Sequence, residues 1–304
     1  MGKRYDLDQL LLIDDMPEIV ASYPITPIEE HGGFFCKRED LYEAFGVYGS
    51  KCRACHAICR YPMAAKGIVT GVSRQSPQAV IVSRLARGVG LPAAVFMPFG
   101  PDTEAIRAVR EAGIEPQRVK PGYLGVVACR AREYAEANGM LFMPIGFESR
   151  SSVELAAAQV ANIPPEAKRL VVTVGSGLNL AGILQGLWRT GRNLPVLGII
   201  ISHNPIRALK KYAPSNWAEM VTFRRSDKPY HKRLKEHHLG DLDLDPQYEA
   251  KCLPFLERGD LFWVIGYGWP PPAKAADQKE AKHGQQEVQE VGEAQEVARA
   301  GPLP

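Results

Sequence analysis

Between about residues 34 and 208 the apolar positions of the chain switch between two rhythms. Short, nearly unbroken blocks rich in β-branched and aliphatic residues (AKGIVTGVS, PAAVFMP, RLVVTVGSG and PVLGIII) predict buried strands. Between them apolar residues recur at helical spacing in SPQAVIVSRLARGVG, DTEAIRAVREAG, YLGVVACRAREYAEANG and SSVELAAAQVANI, which predict amphipathic helices. Alternating strands and helices of this kind build parallel sheets covered by helices on both faces. Such sheets bind ligands beyond the carboxyl ends of their strands, where Gly-rich turns lead into helices. The predicted fold class is α/β.

Two segments leave that rhythm. From 207 to 238 the chain is basic: Arg207, Lys210, Lys211, Arg224, Arg225, Lys228, Lys232, Arg233 and Lys235 face only Glu219, Asp227 and Glu236. The whole chain carries a formal charge of +3, so this excess is local. It is either a solvated surface excursion or a face that binds a polyanion such as double-stranded DNA. From about residue 270 large aliphatics become few and aromatics vanish, which predicts a disordered tail with a transient helix near 285–300. There is no internal repeat.

With 304 residues, 45% of them hydrophobic, the chain exceeds what one core usually holds, roughly 250–300 residues, so two lobes are expected. The longest apolar run, RLVVTVGSGLNLAGILQGLW, is broken by Gly and polar residues, and no membrane association is expected. The amino-terminal apolar stretch meets Asp14 and Asp15 too early for a secretory signal, so a cytoplasmic protein is the expectation.

The stretch YGSKCRACHAICR offers two chemistries. Cys52-x-x-Cys55-His56 has the spacing of a c-type haem attachment, and Cys59 adds a third potential metal ligand. A cytoplasmic chain does not fit haem attachment, and no second ligand pair accompanies the motif. Cys52, Cys55 and Cys59 also share one helix face, where buried thiols act as small hydrophobes, so packing is expected and no metal. The other chemistry is Lys51, which follows Gly49-Ser50 at a helix start. The positive dipole end and desolvation there both favour a neutral, nucleophilic amine. Farther along, an apolar strand runs into Gly175-Ser176-Gly177-Leu178-Asn179 and then a helix. That turn aims backbone N–H groups at one spot and suits a phosphate. It matches neither a dinucleotide fingerprint nor a Walker loop.

Taken in order, Thr26-Pro27, Lys37-Arg38-Glu39-Asp40-Leu41, Gly49-Ser50-Lys51 and the Gly-Ser-Gly turn before a helix resemble the fold-type II pyridoxal-phosphate (PLP) enzymes. The likeness runs from about 24 to 266 and is nearest the aminocyclopropane-carboxylate deaminase and D-cysteine desulfhydrase group. It implies a larger PLP-binding lobe from 1–50 and 150–269, and a smaller α/β lobe from 51–149. It implies PLP as cofactor, Lys51 as the lysine condensed with its aldehyde, and the turn from Gly175 to Asn179 as its phosphate cup. The loop GVSRQSPQ resembles the family's Ser-x-x-Asn-like loop, making Ser73, Gln75 and Ser76 candidates for the substrate carboxylate and the cofactor's phenolic oxygen. Arg74 and Pro77 depart from the family's pattern there. The segment LDPQYEAK resembles the Asp-Pro-x-Tyr-x-x-Lys segment before the last strand. It implies Glu249 at the pyridine nitrogen and Tyr248 as a proton donor or acceptor to the substrate. A homodimer is also implied.

Three functions follow as expectations. One is a PLP enzyme acting at Cα of an amino acid attached to a modified base in DNA, by decarboxylation or related processing. For it the resemblance extends to phage-encoded relatives, and Arg207, Lys210, Lys211, Arg224, Arg225, Lys232 and Arg233 would hold the duplex. Another is a deaminase, lyase or desulfhydrase of a free small amino acid. The third is a catalytically inactive binding protein that keeps the fold.

Overall fold

A computed structural model describes residues 16–61, 65–120, 122–201 and 204–266, together with Leu7 and Trp269. The readings placed on the amino-terminal apolar stretch and on the tail from 270 lie outside the described residues. In chain order the first half comprises α1 (Met16–Ala21), β1 (Ile28–His31), β2 (Phe34–Arg38), β3 (Glu43–Ala44), β4 (Val47–Tyr48), α2 (Ser50–Arg60), β5 (Ile68–Gly71), α3 (Pro77–Gly88), β6 (Ala93–Pro98), α4 (Glu104–Glu111), β7 (Gln117–Val119), α5 (Leu124–Asn138) and β8 (Leu141–Met143). The second half comprises α6 (Arg150–Ala158), β9 (Arg169–Val174), α7 (Leu178–Arg189), β10 (Val196–Ile200), α8 (Ile206–Tyr212), α9 (Trp217–Met220), β11 (Val221–Arg225), β12 (His238–Leu239), β13 (Leu242–Asp243) and β14 (Asp260–Val264). Each strand and helix expected from the periodicity is present.

The strands form two main sheets. The larger has the order β1-β2-β14-β9-β10-β11, parallel except for the β1–β2 hairpin; the smaller has the order β7-β6-β5-β8 and is parallel throughout. Leu170, Val171 and Val172 of β9 and Leu261, Phe262 and Trp263 of β14 are all fully buried. Strands buried on both faces explain the unbroken apolar blocks in the sequence. Among the described residues no helix is long and apolar enough to cross a membrane.

The basic segment is more ordered than an excursion. Within it β11 pairs in parallel with β10, Arg224 opposite Ile199 and Arg225 opposite Ile200, so the strand–helix rhythm continues and ends the larger sheet. Its charges hid this strand from the periodicity. Charged side chains on an edge strand are also what keeps such an edge from pairing with another chain.

Parallel strands bring their exits to one edge. There the chain leaves β2 at Glu39, β9 at Gly175, β10 at Ile201, β11 at Ser226 and β14 at Ile265. From the smaller sheet the exit of β8 reaches the same place: a Cβ built on Gly146 would lie 3.5 Å from Ser176 Oγ.

Candidate active site

The β3–β4 hairpin delivers the chain to Gly49, whose φ of 89° and close neighbour leave no room for a side chain; an added Cβ would sit 2.8 Å from the Ile265 carbonyl oxygen. Ser50 N–H donates to that same carbonyl at 3.0 Å, fixing the start of α2 against the exit of β14. Lys51 lies in the first turn. Its side chain is open to solvent, yet desolvation holds its amine below the usual lysine range, while Asp245 and Glu249 pull the other way. Lys51 is thus reachable from solvent yet crowded by the surrounding protein at the strand exits.

The turn after β9 lies at the same edge. Gly177 takes a left-handed conformation at the N-cap of α7, Ser176 is exposed, and the first N–H groups of the helix follow. Asn179 Nδ2 donates to Ser50 Oγ at 2.9 Å, tying the turn to the residue beside Lys51. Gly175 admits Tyr248: a Cβ there would lie 2.6 Å from the tyrosine hydroxyl.

Tyr248 and Glu249 come from the crossing between β13 and β14, where the chain enters a 3-10 helix (Glu249–Phe255). Pro254 within that run limits regular α-helical bonding. Glu249 is buried, and one carboxylate oxygen accepts the Gly266 N–H at 2.7 Å while the other accepts the Asp245 N–H at 3.4 Å. Burial, reinforced by the nearby Asp245 and Asp40 carboxylates, pushes its pKa up to about 8. Burial raises the Tyr248 hydroxyl far above the usual tyrosine value, so it stays protonated. Asp245 is also raised by burial, against the pull of Gln247 N–H, Arg233 and Lys51.

This arrangement of sheets and exits is shared with solved structures. The structure of an ACC deaminase homologue superposes with a TM-score of 0.67 at 18% identity, covering 84% of this chain and 95% of that one. The processed form of threonine deaminase isoform 2 from Solanum lycopersicum gives 0.60 at 15% identity, covering 91% and 94%. Escherichia coli diaminopropionate ammonia lyase, solved with a PLP-bound reaction intermediate, gives 0.55 at 12% identity, covering 88% and 91%. The chain has the fold of the fold-type II PLP enzymes. No protein-family model matches it, and no curated protein matches it by sequence.

Within this fold-type II frame the structure brings Lys51, Gly175, Ser176, Gly177, Leu178, Asn179, Tyr248 and Glu249 together. Ser73 and Gln75 stand in the loop after β5, Ser73 half-buried and Gln75 exposed. The buried amide of that loop is Gln78, which the motif reading passed over. It donates to Thr70 Oγ1 at 3.0 Å and to the Pro144 carbonyl at 2.9 Å, and accepts the Gly146 N–H at 2.7 Å. Gln78 thereby holds the loop that faces Ser176. Its sequence signal was the N-cap: Ser76 Oγ accepts the Gln78 N–H at 3.3 Å and Pro77 occupies the first turn, placing position 78 on the inner face. Asp245, also missed, opens the quoted Asp-Pro-x-Tyr segment.

The cysteine face of α2 points into the core. Cys52, Cys55 and Cys59 are at most 2% exposed, with 3.8 Å between the sulfurs of Cys55 and Cys59, and His56 Nδ1 meets Tyr42 Oη at 2.7 Å. Arg207, Lys210, Lys211, Arg224, Arg225, Lys232 and Arg233 are all exposed; Arg224 and Arg225 stand on β11 at the edge of the larger sheet, whereas Arg233 acts on Asp245.

Proposed function

We propose that this protein is a PLP-dependent enzyme that acts at Cα of an amino acid, of the deaminase or lyase type. The observation that carries the reading is the convergence of an amine, an anion cradle and a buried carboxylate at one strand edge. The residues fit the cofactor. Lys51 would condense with its aldehyde. The N–H groups of the turn from Gly175 to Asn179, with the Ser176 hydroxyl, would hold its phosphate. Glu249, a buried carboxyl with no ion pair among the described residues, would face its ring nitrogen. Bound PLP supplies an electron sink for a carbanion at Cα.

The chain's own groups then divide the proton work. Lys51, desolvated toward its neutral form, takes or returns a proton at Cα. Tyr248, kept protonated, sets its hydroxyl against Gly175 of the turn and is no base at neutral pH. Glu249 keeps a proton up to about pH 8 by itself, and an adjacent cationic nitrogen would favour its ionised form. Ser73 and Gln75 are retained as candidate substrate contacts from the loop after β5. The lobes 1–50 with 150–269 and 51–149, and a homodimer, belong to the same proposal.

Deaminases and a lyase among the structures of like fold favour a free amino acid as substrate. The exposed cations of residues 207–238 favour a second reading, an amino acid carried on DNA, and activity that falls steeply with salt would support it. Robust turnover of free amino acids at high salt would sink it. The deciding experiment is the visible spectrum with added PLP, wild type beside Lys51→Ala. The expected result is a band that the substitution removes, with turnover reduced about a thousandfold or more, as when a catalytic nucleophile is lost. No band in wild type would overturn the enzyme reading, and a band without turnover of any amino acid would leave a binding protein.

A further inference from the structure

We infer that the cavity at the ends of β10 and β11 is a subsite for a second anionic group of the substrate, a carboxylate or phosphate on its side chain, recognised by Arg225. The inference rests on the proposed reaction for the word substrate, and on the structure for the site.

A cavity of about 540 Å³ is lined by Ile201, Arg225, Ser226, Lys228 and Tyr230, with Asp227 also in its wall. That volume lies within the range of small-molecule sites, roughly 300–1,000 Å³. Ile201 N–H donates to the Val174 carbonyl at 3.0 Å, and Val174 immediately precedes Gly175. Ser226 N–H donates to the Ile200 carbonyl at 3.1 Å. The cavity therefore opens one to two strand spacings from the turn, about 5–10 Å, which a substrate side chain can span.

Its far wall is built in place. Lys251, itself buried, donates to the carbonyls of Pro229 and Tyr230 at 2.8 and 2.9 Å and so holds the loop. Asp245 acts electrostatically on both Tyr230 and Lys51, so the cavity and the Lys51 amine flank the same carboxylate.

The charges in the wall are not equivalent. Lys228 Nζ is tied to Asp227 at 2.6 Å. Ser226 Oγ accepts the Lys228 N–H at 3.2 Å and keeps its own proton to donate. Arg225 has no ion pair or side-chain hydrogen bond among the described residues and offers a planar fork that matches two oxygens of a carboxylate or phosphate. Arg224, its neighbour on β11, points to the opposite face.

The test is calorimetric titration of the PLP-loaded protein with both enantiomers of O-phosphoserine and of serine, in wild type, Arg225→Gln and Arg224→Gln. One O-phosphoserine enantiomer is expected to bind more tightly than serine. Arg225→Gln is expected to weaken it about 10- to 100-fold, the effect of one charge-assisted contact, with serine unchanged. Equal losses for phosphoserine and serine would overturn the subsite. So would the same loss in Arg224→Gln, which would indicate a general field. A duplex oligonucleotide that outcompetes phosphoserine and depends on Arg225 would overturn the side-chain assignment and give the same oxyanion chemistry to a backbone phosphate. Repeating the titrations without PLP separates the two readings. Arg225-dependent preference with no visible band means that only the PLP reading fails. A visible band with no Arg225 dependence means that only the subsite fails.

Discussion

Charge is handled in opposite ways at the two ends of the larger sheet's exit edge. Around Lys51, residues Lys37, Arg38, Glu39, Asp40, Arg53, Glu249 and Lys251 are at most 3% exposed. Across the sheet, Arg207, Lys210, Arg224 and Arg225 stand in solvent. Burial moves protonation toward neutrality: Lys37, whose amine donates to the Thr26 carbonyl and to Asn162 Oδ1 at 2.7 Å each, is pushed down to about 8, and Glu249 is pushed up to about 8. Groups poised near pH 7 are what proton transfer requires. Exposed cations act instead through the field they project and the ligands they meet. One end of the edge is suited to chemistry, the other to recognition.

The largest expected effect breaks the buried end. Arg53 Nη2 meets Glu39 Oε1 at 2.6 Å with both side chains almost wholly inaccessible, while Arg53 Nε and Nη1 and Glu39 Oε2 have no hydrogen-bond partner among the described residues. Removing one member strands a buried charge, so Arg53→Ala should cost about 3–5 kcal/mol in a denaturant titration, and the pair Arg53→Met with Glu39→Leu much less than the single change. Arg53 lies on α2 two residues beyond Lys51, so a shift of the Lys51-dependent visible band should accompany the single substitution. A cost below about 1 kcal/mol would mean that the buried pair behaves like an exposed one, and the contrast would fail.

The two ends also differ in how far the sequence disclosed them. Apolar blocks and helical spacing gave the strands and helices, because two-sided burial writes itself into composition. Motif order placed Lys51 with Gly175 to Asn179, and the structure ties them through Asn179 and Ser50. What stayed hidden depended on long-range geometry. Gln78 falls on the inner face of α3 while Gln75 stands exposed in the loop before it, and Glu249 owes its raised pKa first to burial, then to Asp245 and to Asp40, the last more than two hundred positions away. At the exposed end, charge masked β11, since an edge strand with one solvated face carries no apolar block.

A medium effect sharpens the comparison through pH. Between the unfolded value of 4.5 and the folded value of about 8, the folded chain keeps a proton on Glu249 that the unfolded chain releases. Stability of the PLP-free protein should therefore fall as pH rises across that window, by up to about 1.4 kcal/mol per pH unit from this one group. Glu249→Gln should flatten the slope measured by denaturation at several pH values. A residual slope of the same sign should persist, because Asp40 and Asp245 are raised as well. An unchanged slope in the variant would show that Glu249 is already ionised in the folded chain.

The smallest effect belongs to the exposed end. Arg207 Nη2 meets both Glu148 oxygens at 2.9 and 3.1 Å, a pair within hydrogen-bond distance like the buried one, yet the arginine is 84% exposed. Water already solvates both partners, and salt screens what attraction remains. Arg207→Gln should therefore shift stability by about 0.5 kcal/mol or less, and the difference should shrink further in 1 M salt. If it cost as much as Arg53→Ala, geometry alone would govern the worth of an ion pair here, and burial would no longer explain why Lys37 and Glu249 titrate near neutrality.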